Sequence, residues 1–169
     1  VASFISAESI LRNYCPQKII SLIDVGSPLP EFLLDNKVQS WSVLRCNDVT
    51  GSMEGGAPGK NLVVELFNAF LSWNGVDDVL FHCHQGVSRS SAAALLFLAI
   101  QNKHHTADNI MRHLRVSMPW ADPNELIVDI GEKYIQIEDS LWRALMRDRG
   151  PNGEIPIPTF ATFPISIKM

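Results

Sequence analysis

Short apolar runs alternate with longer stretches of helical pattern along most of this chain. The runs at 18–24 (KIISLID), 40–46 (SWSVLRC) and 79–83 (VLFHC) are mainly apolar and too short for helices, which predicts buried strands. Between them, residues 61–73 place apolar side chains at helical spacing, and residues 90–101 (SSAAALLFLAIQ) contain no Gly or Pro, which predicts two helices. This order predicts an α/β fold with a mostly parallel central sheet of four to five strands and helices on both faces.

The remaining segments up to residue 149 are also predicted to be mainly helical. Residues 6–14 form a short first helix, and residues 30–36 form a short helix or turn. Thr106 is suited to cap a helix that ends near Arg115. Apolar residues recur at helical spacing over 124–147, which predicts one long final helix.

The character of the chain changes at Gly150. Residues 150–169 are rich in proline, carry few charges and show no clear period, yet they include several large apolar residues that argue against free solvation. We therefore expect residues 1–149 to form a single domain, because a chain of 169 residues can bury a substantial core. The tail is expected to dock on that domain or on a second copy, which leaves the oligomeric state open.

The segment that joins the third strand to its helix carries the candidate chemistry. Cys83 and Arg89 flank five residues, and Gly86 among them tolerates the positive φ that a sharp turn requires. In such a turn the backbone N–H groups converge at a helix N-terminus and form an anion site, to which Arg89 adds a planar fork for two phosphate oxygens. The expected phosphate-binding residues are His84, Gln85, Gly86, Val87, Ser88 and Arg89.

The same positive field favours the thiolate of Cys83, a nucleophile suited to attack phosphorus. Ser90 follows Arg89 directly and can donate a hydrogen bond to the sulfur when it departs in a second step. His82 is expected to fix the strand end and polarise the loop without touching substrate. The alternative is a structural Cys83 and an Arg89 paired with a surface acid, which leaves the glycine, the second hydroxyl and the strand–helix context unexplained.

The string HCHQGVSRSS (82–91) resembles the phosphate-binding loop of the cysteine-dependent protein tyrosine phosphatases, and most of all that of the compact dual-specificity branch and its bacterial relatives. The resemblance is strong over about 78–102 and extends with less specific motifs from residue 18 to about 146. Low-molecular-weight phosphatases and arsenate reductases carry a similar loop near the N-terminus, whereas here it begins at residue 83. The resemblance implies a phosphotyrosine protein phosphatase-like fold and two-step phosphomonoester hydrolysis without a metal or another cofactor.

Such a reaction needs an acid that protonates the leaving group. In the resembling family an Asp on a mobile loop upstream of the cysteine fills this role, and Asp48 lies 35 residues before Cys83 at the end of a predicted strand. A glycine-rich segment follows Asp48, as is typical of a lid. A turn-capping role is the alternative for Asp48. Glu54 is the second candidate acid, and Asp24 is either a residue of the pocket rim or a turn former.

Two further features concern support and metals. The pair Pro123-Asn124 also resembles the dual-specificity branch, in which it supports the phosphate loop from behind, whereas an ordinary helix cap is the alternative and both roles can hold. The histidines do not predict a metal site, because His82 and His84 should alternate between the two faces of an extended chain, and the pair at 104–105 follows the next helix.

The composition of the chain limits the binding partners and the cellular location that we expect. A net charge of −4 without a cluster of Lys and Arg argues against a nucleic acid partner, and no run approaches the ~20 apolar residues of a membrane span. Three cysteines do not suggest a disulfide scaffold. Together with the lack of a basic and apolar leader, this predicts a reducing, cytoplasmic location.

The sequence leaves the substrate open. Phosphotyrosine, with phosphoserine or phosphothreonine beside it, is the default expectation, and a small phosphomonoester or an RNA 5′ end is an alternative substrate. Two other functional classes stay open for the protein itself, namely a phosphate-binding pseudo-enzyme module and a rhodanese-like sulfur-transfer enzyme. The intact Cys83, Arg89 and Ser90 argue against the first, and Asp48 with the Arg89-Ser90 ending favours phosphate chemistry over the second.

Overall fold

The computed structural model describes residues 1–34 and 40–149. Its strands are β1 (Lys18–Ile23), β2 (Ser40–Arg45) and β3 (Val79–His82). Its helices are α1 (Phe4–Tyr14), α2 (Lys60–Leu71), α3 (Arg89–Gln101), α4 (Ala107–Ser117), α5 (Glu125–Glu132) and α6 (Leu141–Arg149), with a 3-10 turn at Glu31–Leu33. The predicted α/β class is confirmed. The tail at 150–169 and the end of the predicted turn at 30–36 lie outside the described residues.

The sheet is parallel, as predicted, with the strand order β2-β1-β3. The expectation of four to five strands is wrong for the described residues, which form three. Ala2 makes an isolated parallel bridge with His82, but Ser3 then caps α1, so the chain turns into a helix before a further strand can form. Among the described helices, none has the length and apolar character needed to cross a bilayer.

Helices cover both faces of the sheet. Side chains alternate along each strand, so neighbouring residues point to opposite faces. Ile20 and Leu22 of β1 pack with the large cluster that includes residues of α2 to α6. Ile19 points to the other face and packs in a smaller cluster with Ala7 of α1 and Leu80 of β3. Every residue of β1 is buried, which is why the strand reads as a continuous apolar run.

The single final helix predicted over 124–147 is wrong, because two helices, α5 and α6, occupy this region. Ser140 begins the second helix, since its hydroxyl accepts from the backbone N–H of Arg143 at 3.2 Å. The Glu132 carboxylate at the end of α5 accepts from the Ser140 hydroxyl at 2.9 Å and from the Trp142 N–H at 3.0 Å. The end of one helix thus fixes the start of the next, and the apolar spacing alone could not reveal the break.

The N-terminal residues pack directly against the loop that follows β3. Ala2 donates to the Phe81 carbonyl at 2.9 Å and accepts from the Cys83 N–H at 3.3 Å, and the Phe4 N–H donates to the His84 carbonyl at 3.2 Å. A Cβ added to Gly86, whose φ is +74°, would lie 2.5 Å from the backbone nitrogen of Ser3 and 2.6 Å from the carbonyl carbon of Ala2. Glycine is therefore required at this position both for φ and for space.

We predict that Gly86→Ala lowers the free energy of unfolding by about 3 kcal/mol, because roughly 1–3 kcal/mol of overpacking adds to about 1 kcal/mol of strain from positive φ. Gly26 is the matched control, since its φ is +83° but nothing lies within 4 Å of its added Cβ. Urea unfolding should therefore give about 1 kcal/mol for Gly26→Ala. Equal losses in the two variants would contradict the close packing of the N-terminal residues on Gly86.

Candidate active site

The carboxyl ends of the three parallel strands meet at one edge of the sheet, where ligands of such folds bind. Asp24 follows β1, Cys46 follows β2 and Cys83 follows β3. The side chain of Arg89, from the first turn of α3, joins the first two, since its Nη1 donates to Asp24 Oδ1 at 2.8 Å and to the Cys46 carbonyl at 2.6 Å. The register of the sheet thus places Asp24 and Arg89 together although 65 residues separate them.

The Arg89 guanidinium is buried, with only 2% of its side chain exposed, and it is incompletely paired. Its Nε is buried and has no hydrogen-bond partner among the described residues. The Asp48 carboxylate is 3.7 Å from this nitrogen, which is too long for a hydrogen bond. A buried donor without an acceptor is costly, so this nitrogen is available for an anionic oxygen that enters the site.

Backbone N–H groups of the loop at 83–89, which we call the phosphate loop, are also available. Within residues 1–34 and 40–149, five of them donate to no protein acceptor, namely those of His84, Gln85, Val87, Ser88 and Arg89. The Val87 carbonyl accepts from the Asp122 N–H at 3.0 Å, and the Ser88 carbonyl accepts from the Asn124 N–H at 3.2 Å. Because C=O and N–H point in opposite directions across a trans peptide, the N–H groups of Ser88 and Arg89 face away from that neighbouring segment.

The Cys83 thiol lies at the start of the same loop and is 1% exposed. The Ser90 hydroxyl oxygen is 3.1 Å from Cys83 Sγ, and the Gly86 N–H donates to the sulfur at 3.3 Å. The structure therefore brings Cys83, Ser90 and the phosphate loop together. It places the sulfur beside two donors that can stabilise negative charge on it.

Asp48 lies beside the phosphate loop. Its Oδ1 accepts from the Ser88 hydroxyl at 2.6 Å and from the Asn124 side-chain amide at 3.0 Å, and a third of its side chain is exposed. Glu54 is directed elsewhere, because its carboxylate accepts from the Gly51 N–H at 2.8 Å within the glycine-rich turn. Of the two candidate acids, only Asp48 contacts the phosphate loop among the described residues.

Asn124 makes contacts that fit both of the roles considered for it. Its side-chain oxygen accepts from the Ile127 N–H at 3.2 Å and so caps α5. Its amide nitrogen donates to Asp48 and, at 3.1 Å, to the Val49 carbonyl, while its backbone bonds Ser88. One residue thus connects the phosphate loop to the segment that carries Asp48.

The histidines on either side of Cys83 differ in environment. His82 is fully buried, and its Nε2 lies 2.6 Å from the Ser21 hydroxyl, which also accepts from Trp41 Nε1 at 2.9 Å. Burial lowers the pKa of His82 to about 4. His84 is exposed and packs edge-on against the Phe4 ring, and Gln85 is exposed as well. These two side chains therefore line the outside of the loop.

Two contacts of this site were not predicted from the sequence. Asp24 was expected at the pocket rim or in a turn, and its carbonyl does accept from the Ser27 N–H at 3.2 Å in a turn, but the pairing of its carboxylate with Arg89 was not expected. The contact of Ser21 with His82 from the neighbouring strand was not expected either. The position of Asp24 directly after a buried strand was the available signal, because parallel strand ends share one edge. No signal in the sequence pointed to Ser21.

No protein-family model and no curated protein match this sequence. Solved structures do match: the Cydia pomonella PTP-2 phosphatase is 22% identical with a TM-score of 0.59 and covers 79% of this chain and 83% of its own. DUSP15 is 20% identical with a TM-score of 0.57, covering 87% and 89%. PTPMT1 in complex with PI(5)P is 10% identical with a TM-score of 0.56, covering 89% and 90%. The chain has the fold of the tyrosine and dual-specificity phosphatases, so the predicted fold family is confirmed.

The burial of His82 predicts a pH dependence of stability. Its pKa of about 4 in the folded state lies below the ordinary value of 6.5, so the unfolded chain binds the proton first as the pH falls. His82 should therefore remove roughly 3 kcal/mol of stability between about pH 6.5 and pH 4. Urea unfolding at pH 7 and pH 4 should give a smaller loss for His82→Gln than for the wild type. Identical losses would contradict a neutral, buried His82.

Proposed function

We propose that this protein is a phosphomonoester hydrolase that acts through a phosphocysteine intermediate, with phosphotyrosine and also phosphoserine or phosphothreonine in proteins as its substrates. The observation that carries the proposal is the buried Arg89 Nε, which lacks an acceptor among the described residues and belongs to the same loop as the buried Cys83 sulfur. The free amides of the phosphate loop add further donors for phosphate oxygens. Together these groups supply the positive charge that the reaction requires.

In the first step the Cys83 thiolate attacks phosphorus, and the bond between phosphorus and the ester oxygen breaks. Asp48 gives its proton to that oxygen, so the alcohol or phenol leaves neutral. Arg89 and the loop amides bind the three equatorial oxygens, on which charge accumulates in the transition state. The product is a phosphocysteine, and Asp48 is now a carboxylate.

In the second step water attacks the phosphocysteine. The Asp48 carboxylate takes a proton from the water, the phosphorus–sulfur bond breaks, and inorganic phosphate forms. Ser90, whose hydroxyl is 3.1 Å from Cys83 Sγ, donates a hydrogen bond to the departing thiolate. The cycle consumes one water and restores both Cys83 and protonated Asp48, so no redox partner is needed.

The walls of the site favour a substrate with a single phosphoryl group. The phosphate loop contains no lysine, and the Asp24 carboxylate pairs with Arg89 at 2.8 Å. Little positive charge is therefore left for the further phosphoryl groups of a polyphosphorylated ligand. PTPMT1, which has this fold, is known in complex with PI(5)P, so a small phosphomonoester stays the alternative substrate.

Two alternative activities predict different features. A binding module has no need of a buried thiol that lies beside a hydroxyl, and a sulfur-transfer enzyme has no need of a carboxylate beside the phosphate loop.

The three cysteines are free, and a catalytic thiolate is best preserved where thiols stay reduced. We therefore propose a cytoplasmic location for the enzyme.

We predict that Asp48→Asn lowers kcat/KM by about 100-fold or more on phenyl phosphate, whose leaving group needs the proton, and far less on p-nitrophenyl phosphate. In steady-state kinetics with a series of aryl phosphates, kcat/KM of Asp48→Asn should depend more steeply on the pKa of the leaving group than kcat/KM of the wild type does. Glu54→Gln is the matched control from the same segment and should leave that slope unchanged. Equal losses of Asp48→Asn on both substrates would remove Asp48 from the acid role.

Cys83→Ser should abolish turnover while the variant keeps its affinity for a phosphopeptide. Acid quenching of wild-type turnover should trap phosphate on Cys83, detectable by mass spectrometry, and vanadate should inhibit. Tight phosphopeptide binding by the wild type without turnover would instead identify a binding module. Activity with thiosulfate alone would identify a sulfur transferase.

A further inference from the structure

The segment between α4 and α5 helps to orient the phosphate loop. The N–H groups of Asp122 and Asn124 donate to the carbonyls of Val87 and Ser88, so the N–H groups of Ser88 and Arg89 point the opposite way. Helix α3 bonds the same two carbonyls through the Ser91 hydroxyl and, for Ser88, the Ala92 N–H, so the two peptides are held jointly by α3 and by this segment. A shift of this segment therefore removes one of the two restraints on a pair of donors at the anion site. It also moves the Asn124 side chain that contacts Asp48.

Arg149, the last residue of α6, holds this segment on both sides of Asn124. Its Nε donates to Asp122 Oδ1 at 2.7 Å, its Nη2 to the Pro123 carbonyl at 3.1 Å, and its Nη1 to Glu125 Oε2 at 2.8 Å. Only 18% of the Arg149 side chain is exposed. The three nitrogens of one planar guanidinium thus fix three residues that surround Asn124, which a point charge could not do.

A second arginine fixes the other end of the segment. Arg115 of α4 donates from Nη1 to the carbonyls of Pro119 and Ala121, at 2.5 and 2.8 Å. It also pairs with Asp148, the neighbour of Arg149 in α6. The end of α6 is therefore tied to the whole segment, and not to one residue of it.

We propose that Arg149 is a positioning residue of the active site, which acts through Asp122, Pro123 and Glu125 on the phosphate loop and on Asn124. Helix α6 is then part of the machinery that orients phosphate, although none of the contacts described for it reaches the loop itself. The effect on turnover rests on the proposed function, whereas the effect on oxyanion binding does not. This separation allows the two to be tested independently.

The chain offers a matched control two residues away. Arg147 carries the same charge in the same turn of α6, but it pairs with Asp108 at the surface, and more than half of each side chain is exposed. Arg147→Gln therefore changes the charge of the helix end by the same amount as Arg149→Gln without touching the segment at 119–125. Surface pairs of this kind contribute little to stability.

Tungstate, an oxyanion of phosphate shape, is the probe. We expect Arg149→Gln to weaken tungstate binding by about 10–100-fold in titration calorimetry at 25 °C, the order of loss that small misplacements cause in preorganised sites. Arg147→Gln should stay within about twofold of the wild type. Arg149→Lys keeps the charge but not the fork, so it should lie near Arg149→Gln, and it carries the test if Arg149→Gln does not fold.

The outcomes separate the two claims. A lower melting temperature of Arg149→Gln with unchanged tungstate affinity would assign Arg149 a purely structural role and overturn the inference, as would equal weakening by Arg147→Gln. Wild-type protein that binds tungstate, loses affinity in Arg149→Gln and yet hydrolyses no aryl phosphate would support the inference and contradict the proposed function. Wild-type protein that binds no tungstate would contradict both.

A double-mutant cycle tests the route. If Arg149 acts through Asp122, then Asp122→Asn and Arg149→Gln should each weaken tungstate binding, and the double variant should be little weaker than the stronger single variant. Fully additive losses would contradict an action of Arg149 through Asp122.

Discussion

One buried guanidinium, that of Arg89, organises the candidate site at the carboxyl edge of the sheet. Arg89 is drawn to the carboxyl ends of β1 and β2 by Asp24 and the Cys46 carbonyl, and both bonds are made by the same nitrogen. Nε, 3.7 Å from the Asp48 carboxylate, has no hydrogen-bond acceptor among the described residues. The pairing of Nη1 offsets the cost of burying the positive charge. The unpaired Nε is still able to donate to an anion.

The loop around Arg89 depends on support from three directions. The N-terminal residues pack on Gly86 so closely that no side chain fits there. The segment at 119–125 restrains the peptides of Val87 and Ser88, because its N–H groups donate to their carbonyls. Helix α3 begins at the loop itself. A loop that must keep several donors turned inward without an anion present needs such support, because those donors gain no hydrogen bonds of their own.

The sequence allowed the local parts of this architecture to be predicted, and the distant pairings escaped it. The strand, the phosphate loop and α3 are contiguous, so their pattern alone indicated an anion site with Cys83 at its start. The pairing of Asp24 with Arg89 depends on sheet register, and the contacts of Arg149 depend on how α6 returns to the segment at 119–125. Neither leaves a periodic signal.

The two errors of fold have different origins. The sequence pattern located three strands, which are the three that the described residues form, and the expectation of one or two more rested on no segment of the chain. The last helix is divided because Glu132 caps the next helix through space, and apolar spacing continues across the break. Local periodicity records which side chains are buried, but it does not record where hydrogen bonds end an element.

A crystal structure of the wild-type protein with tungstate tests the central claim most directly. The account predicts one ion enclosed by the phosphate loop, with oxygens at about 2.7–3.2 Å from Arg89 Nε and from the free loop amides, and with the metal facing Cys83 Sγ. A loop that stays empty at millimolar tungstate, or an ion bound elsewhere while Arg89 Nε pairs with a protein carboxylate, would contradict it.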